Sequence, residues 1–270
     1  MKKRAWLFAL LLIPLIASQA QNLILQTEDA LTLGKGKLQA GVGFEYLAKN
    51  RPPAPDLPRS LLRLFVVAMH YGVADNVNFD LDWRGGLLAT FENGQHGSDW
   101  GDLIVSTRIN LFHGQSSPTA VGLLTAVKLP STSYLPHRLG SDQTDFYARL
   151  LLANSSPGIQ TRMNVGLSIL GDPKAAGSQD DVYSFYGAVL FPVGEATRLF
   201  TEMIGLTGYR DDDAKLVSRL GVAANTGLLE WNLFGSVRLA GNNRDFATAF
   251  DLSENWSIGI MVSKMFDVPM

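Results

Sequence analysis

The sequence predicts an all-β protein, a twelve-stranded antiparallel transmembrane β-barrel of the bacterial outer membrane. Three observations predict it: segments of about ten residues with one apolar and one polar face, connections that alternate between short and long, and an export-type N-terminus.

The segment Val77 to Leu88 shows the pattern. Val77, Phe79, Leu81, Trp83, Gly85 and Leu87 read as one face, and Asn78, Asp80, Asp82, Arg84 and Gly86 as the other. Successive side chains of a strand point to opposite faces, so such a segment suits an apolar medium on one side and water on the other. Alternation and turn residues mark twelve strands. In order they are Lys37 to Lys49, Ser60 to Tyr71, Val77 to Leu88, Gly101 to Phe112, Thr119 to Pro130, Asp145 to Leu152, Ile159 to Leu170, Asp181 to Phe191, Arg198 to Leu206, Ala214 to Asn225, Leu229 to Ala240 and Asn255 to Phe266. Ser60 to Tyr71 and Asp181 to Phe191 are apolar on both faces.

The connections test this division independently, because barrels of this class have short periplasmic turns and longer outer loops. Those at Gly72 to Asn76, His113 to Pro118, Ala153 to Gly158, Pro192 to Thr197 and Thr226 to Leu228 are short. Between them stand Asn50 to Arg59, Ala89 to Trp100, Ser131 to Thr144, Gly171 to Asp180, Thr207 to Asp213 and Gly241 to Glu254, each longer than its neighbours. The even strand count places both chain ends on the periplasmic side. None of the outer loops is long enough to be expected to constrict the lumen. Rings at strand ends, among them Phe112, Phe146, Tyr183, Trp231 and Trp256, fit aromatic girdles at the membrane interfaces.

At the N-terminus, Lys2, Lys3 and Arg4 precede an apolar stretch from Trp6 to Ile16, and Ser18 and Ala20 are small residues ahead of Gln21. This is the layout of a signal peptide over residues 1–20. A retained anchor is the competing reading, but Ala5 to Ala17 falls short of the roughly 30 Å of hydrocarbon and contains Pro14. Residues 21–36 then form a periplasmic or lumenal segment, and 37–270 the barrel. The segment joins Leu23, Ile24, Leu25 and Leu31 to Glu28 and Asp29. It is read either as a free tail or as an insert into the lumen that pairs with cations such as Arg108 or Arg162.

The chain has 270 residues with no Cys, which removes thiol catalysis and Cys-ligated metals. Loss of Lys2, Lys3 and Arg4 with the signal peptide leaves 20 basic residues against 25 acidic, a formal charge of −5. That disfavours nucleic acid as a partner. The polar faces place a mixed set of charges toward the lumen: Lys37, Glu45, Asp80, Asp82, Arg84, Asp102, Arg108, Lys128, Asp145, Arg149, Arg162, Glu202, Lys215, Arg219, Glu230 and Arg238. Such a set either lines a selective pore or forms a wet core of mutually paired ions, and twelve strands lie between the filled and the open barrel sizes.

A barrel hydrolase is the rival class. His96 with Asp99, or His137 with Asp142, would be its candidate pairs in the outer loops, against the reading of solvated loop tips. Gly34 to Lys37 lacks the spacing of a phosphate loop, and Asp211 to Asp213 lacks that of a calcium loop. No cofactor, metal or catalytic residue is expected.

Several stretches resemble a family of outer-membrane β-barrel proteins named after the meta-cleavage pathway of phenol degradation. They are Thr27-Glu-Asp-Ala-Leu-Thr-Leu-Gly-Lys-Gly-Lys-Leu-Gln39 before and into the first strand, Tyr71-Gly-Val-Ala-Asp-Asn-Val77 at the first short turn, Gly101-Asp-Leu, Val127-Lys-Leu-Pro130, and Glu202 within Phe200-Thr-Glu-Met. The resemblance implies an outer-membrane barrel that admits small aromatic or other hydrophobic compounds, and brings no catalytic residues. The chain departs from the usual barrel ending by continuing past Phe266 to Met270, with Lys264 in the outward row. The resulting expectation is a monomeric passive channel for small molecules, surrounded by outer-membrane lipid and lipopolysaccharide and inserted by the barrel assembly machinery. The alternatives are a hydrolase acting on lipid or peptide at the outer rim, or a closed structural barrel.

Overall fold

The computed structural model describes residues 23, 25–50, 59–113, 118–137, 139–156, 158–172, 178–208, 214–241 and 255–269. The signal-peptide region 1–20, the loop stretches 51–58, 173–177 and 242–254, and Asp211 to Asp213 lie outside them.

Fourteen strands form one antiparallel sheet. They are β1 (Lys37–Asn50), β2 (Arg59–Ala74), β3 (Val77–Trp83), β4 (Gly86–Phe91), β5 (His96–Trp100), β6 (Leu103–His113) and β7 (Thr119–Leu129). The series continues with β8 (Asp145–Ser156), β9 (Ile159–Gly171), β10 (Gln179–Pro192), β11 (Thr197–Gly208), β12 (Lys215–Asn225), β13 (Glu230–Gly241) and β14 (Trp256–Asp267). Pairing of β1 with β14 as well as β2 closes the ring. β3 and β4 both pair with β2, and β6 and β5 lie beyond them in turn. Each of these two pairs is one barrel strand broken in the middle, so the closed barrel has twelve strands. We call the end that carries both Lys37 and Asp267 the lower end, and the opposite one the upper.

The faces sort as the alternation predicts in most strands. Met163, Leu167, Ile169, Trp231, Leu233 and Val237 point outward and are exposed, whereas Arg162, Asn164, Ser168, Asn232 and Ser236 are buried inside. Phe112, Phe146, Tyr183, Phe191, Trp231, Trp256 and Phe266 also point outward. Among the described residues no helix is long and apolar enough to cross a membrane.

Two departures have one cause. Leu87 is buried and Leu88 exposed, the reverse of the alternation carried up from Val77. The break at Arg84 and Gly85 inserts a residue into the strand, and a one-residue slip exchanges the two faces above it. β2 slips at the same level. Phe65 bulges opposite the step between Gly43 and Phe44, with φ at 57°, a left-handed backbone that costs a non-glycine residue about 1–3 kcal/mol. Above it Leu61 and Arg63 face inward; below it Ala68 and His70 do. The apparent two-sided apolarity of Ser60 to Tyr71 is thus two alternations out of phase. Gly85, at φ 73°, runs so close to β2 that a β-carbon there would lie 2.0 Å from the Leu64 carbonyl oxygen.

The expected long loop from Ala89 to Trp100 is instead mostly the β4–β5 hairpin, closed by a turn in which Phe91 N donates to Gln95 O at 2.9 Å. Residues 131–137 and 139–144 also depart from expectation, because they fold into the upper mouth. Leu139 joins Leu47, Leu61, Leu87 and Ala89 in a buried cluster. An outer loop does therefore cover the lumen. Tyr186, Ala188 and Leu190, the inward apolar residues of β10, belong to two further clusters that also contain Ala30 and Leu25 of the N-terminal segment.

Candidate functional site

The site begins with the N-terminal segment, which enters from the lower rim. Gly36 N donates to Gly72 O at 2.8 Å, and a β-carbon on Gly72 would lie 1.8 Å from Gly34 O, so only glycine allows this approach. The chain then runs up inside the barrel, with Leu25, Thr27, Asp29, Ala30 and Leu33 buried. Its polar groups are met in turn by the wall. Leu33 N donates to Asn78 Oδ1 (3.0 Å), Ala30 O accepts from Asn110 Nδ2 (2.8 Å), and Glu28 exchanges backbone bonds with the Asn164 amide (2.6 and 2.9 Å). Thr27 gives both its N–H and its hydroxyl to Glu202 Oε1, at 2.5 and 2.7 Å. Asp29 pairs with Arg162 at 2.9 Å, and Glu28 with Arg108 at 3.3 Å. Burial pushes the Glu28 carboxyl above its ordinary value, against the pull of the Arg108 guanidinium.

The sequence-derived lining residues fall into several groups along the wall. Arg108 bonds Asp80 at 2.7 Å and lies 3.2 Å from His70 Nδ1, while His70 Nε2 stands 3.6 Å from Asp82. Glu45 bonds Arg63 at 2.8 Å, accepts from Ser257 and lies 3.5 Å from Arg219, which reaches on to Glu202 at 3.9 Å. Near the upper mouth, Lys128 bonds Asp145 at 2.9 Å and Ser141 at 2.6 Å, and Asp102 accepts the N–H groups of Ser131 and Thr132. Arg149 donates to the Tyr186 hydroxyl (3.0 Å) with its guanidinium 4.4 Å from that ring. Glu230 pairs with Arg198 and Asn232 near the lower end, and Arg238 with Asn255. Lys215 is buried toward the upper end of β12. Arg84 sits at the strand break, and Lys37 is exposed at the lower rim. Three charged or titratable participants, His70, Arg63 and Arg198, were not in the sequence-derived set. His70 and Arg63 belong to the strand whose slipped alternation hid its inward face, and Arg198 stands at the lower end of β11.

A cavity of about 80 Å³ lies where β1, β2, β3 and β14 meet the N-terminal segment, well above the ~10–15 Å³ one water needs. Its inner lining combines Leu25, Val66, Ala68, Phe234 and Met261 with Glu45, His70, Asp82, Arg84 and Arg219. Phe44, Trp83 and Ile260, which belong to the outward rows, line it too. The cavity therefore lies against the inner side of the wall where these outward residues are rooted. Beside it the ladder is interrupted: β2 pairs with β3 from Val67 and with β4 up to Leu64, leaving Phe65 and Val66 beside Arg84 and Gly85 without ladder pairing.

The proposed hydrolase pairs do not assemble. β5 turns His96 outward, beside the Thr90 hydroxyl, while Asp99 faces inward and accepts the Ser133 N–H. His137, part of the loop that covers the upper mouth, has its ring 6.0 Å from that of Phe91 and its carbonyl accepting from Arg59.

A closed twelve-stranded antiparallel barrel with an apolar exterior and a polar interior defines an outer-membrane barrel protein. The sequence family described as "Putative MetA-pathway of phenol degradation" matches residues 22–268, and the chain belongs to that family. Its fold is similar to that of the COG4313 outer membrane channel from Pseudomonas putida F1, with 14% identity, a TM-score of 0.68, and coverage of 90% of this chain and 100% of that one. The NanC porin is similar at 11% identity and TM-score 0.54, covering 84% of this chain and 98% of that one. The translocator domain of the autotransporter NalP from Neisseria meningitidis matches at 11% identity and TM-score 0.51, over 86% and 88%. No curated protein matches the chain.

Proposed function

We propose that the protein is a passive outer-membrane channel for small molecules with a largely apolar body, such as aromatic compounds, and that these pass through the wall beside this cavity, where the β2 ladder is interrupted and can open. The supporting observation is the cavity beside the interrupted β2 ladder, lined both by Phe44, Trp83 and Ile260 of the outward rows and by the inward Ala68, Phe234 and Met261, so that widening of that interruption would connect lipid to lumen. An axial route suits such solutes less well, because the N-terminal segment fills the lower lumen and residues 131–137 and 139–144 cover the upper mouth. A solute leaving lipid by the side keeps apolar contacts until it meets the charged lining, which then favours molecules that also carry a polar group. In this reading the lumenal charges border the inner half of the path, and the barrel works as a monomer in contact with outer-membrane lipid and lipopolysaccharide after insertion by the assembly machinery.

Filling the cavity tests the reading. Ala68→Phe extends a ring from the cavity lining into its space, and in lipid vesicles we expect uptake of a small neutral aromatic dye to fall at least to about a tenth, given that a blocked binding-competent state scales the rate directly. Ala153→Phe, on another part of the wall, is the control, and heat-shifted mobility in detergent reports folding of both. Undiminished uptake through folded Ala68→Phe would exclude the lateral path.

A further inference from the structure

We propose that the β4–β5 hairpin is a flap beside the interrupted β2 ladder, that the loop 131–137 latches it, and that release of the latch widens the interruption. This rests on the reading of that interruption as the solute path.

The inference starts from an unpaired edge. β5 is the last strand in the sheet order, so among the described residues no strand pairs with its far side. An edge in this position needs cover, and here the cover is a loop rather than a ladder. Thr132 Oγ1 donates to Trp100 O at 2.6 Å, Ser133 N donates to Asp99 Oδ2 at 2.8 Å, and the His137 ring packs over Gly97. The loop's own root is fixed to the wall, since Asp102 accepts two of its N–H groups. β4 is anchored by its ladder to β2 and by Leu87 and Ala89 in the cluster with Leu47, Leu61 and Leu139, whereas the β5 side is otherwise attached only to β4 and, at its foot, by two backbone bonds: Arg84 N to Asp102 O at 3.0 Å and Gly101 N to Gly85 O at 2.5 Å. A unit held by so few contacts along its free edge belongs to the less stable part of a structure.

A link from flap to cavity is also present. Trp83 lines the cavity, donates its indole N–H to Gly101 O at 2.9 Å, and stands 5.8 Å ring to ring from Trp100. When the free edge swings about the β2 ladder, Gly101 and Trp100 move with it and carry Trp83 away from its place in the cavity wall. The latch therefore sets the width of the interruption.

The chain has no cysteine, so a pair can be introduced cleanly. A β-carbon at Gly97 would lie 3.1 Å from that of His137, close to the ~3.5–4.5 Å of a disulfide. In vesicles containing the full-length mature protein, Gly97→Cys/His137→Cys should take up the small neutral aromatic dye at least about fivefold more slowly when oxidised, with recovery in dithiothreitol. The opposite change needs no disulfide: Thr132→Ala with Asp99→Ala removes two latch bonds and should raise uptake about tenfold, the shift that two net hydrogen bonds support. Uptake that is stopped by Ala68→Phe but unmoved by oxidation and by the latch substitutions would overturn the flap and leave the lateral path standing. Absence of uptake by the unsubstituted protein would overturn both.

Discussion

Arg108 is where the wall, the N-terminal segment and the sequence pattern meet. Its guanidinium is almost fully buried, bonds Asp80, and reaches Glu28 and the Asp29 carbonyl. Strand alternation alone placed Arg108 and Asp80 inward, because a period of two survives wherever a ladder is regular. It could not place His70, which the Phe65 bulge had moved to the other phase, although the turn at Asp75 and Asn76 sets His70 opposite Asp80 in register. Removing one partner of a buried pair strands the other, whereas removing both does not. Arg108→Ala should therefore cost about 3–5 kcal/mol in urea unfolding from lipid vesicles. Adding Asp80→Ala should return part of that loss. A double variant that is weaker by the full sum of the two single changes would mean that these side chains act independently.

At the scale of elements, the regular strands were legible and the broken ones were not. Gly85 and Gly86 permit a break between Trp83 and Leu88, but nothing in these residues fixes the phase above it, since Leu87 and Leu88 are equally apolar and either can face in. The hydrophobic partner that decides the matter, Leu139, comes from a loop far away in sequence. The same limit applied to the N-terminal segment, whose apolar and acidic residues fit a tail as well as an insert until the wall supplies Asn78, Asn164, Arg162 and Glu202 as partners. Those contacts give the segment a definite role in occlusion. Deleting residues 23–33 should raise single-channel conductance in planar bilayers while the barrel still assembles, because the ring closes through β1 and β14 without it. Asp29→Ala, which frees one bond to Arg162, should have a smaller effect of the same sign. Unchanged conductance after the deletion would show that the lid or the charged wall, rather than this segment, limits axial flow.

The whole molecule is a closed ring with its lumen occupied from both ends, and its orientation decides what each obstruction faces. An even number of strands returns the chain to the end where it began, and Lys37 indeed lies opposite Asp267. The short connections share that lower end, among them the turn after Pro192, whereas the β4–β5 turn and the folded residues 131–137 and 139–144 belong to the upper one. Barrels of this class carry their short turns in the periplasm, so the N-terminal segment should occlude the periplasmic side and the lid the outside. Cysteine placed at exposed Glu92 or Glu195 reports this directly, in a chain with no thiol of its own. In intact cells a membrane-impermeant maleimide should label Glu92→Cys, and should label Glu195→Cys only once the outer membrane is permeabilised. The reverse pattern would put the N-terminal segment at the cell surface, and solutes arriving from outside would then meet it before the interrupted wall.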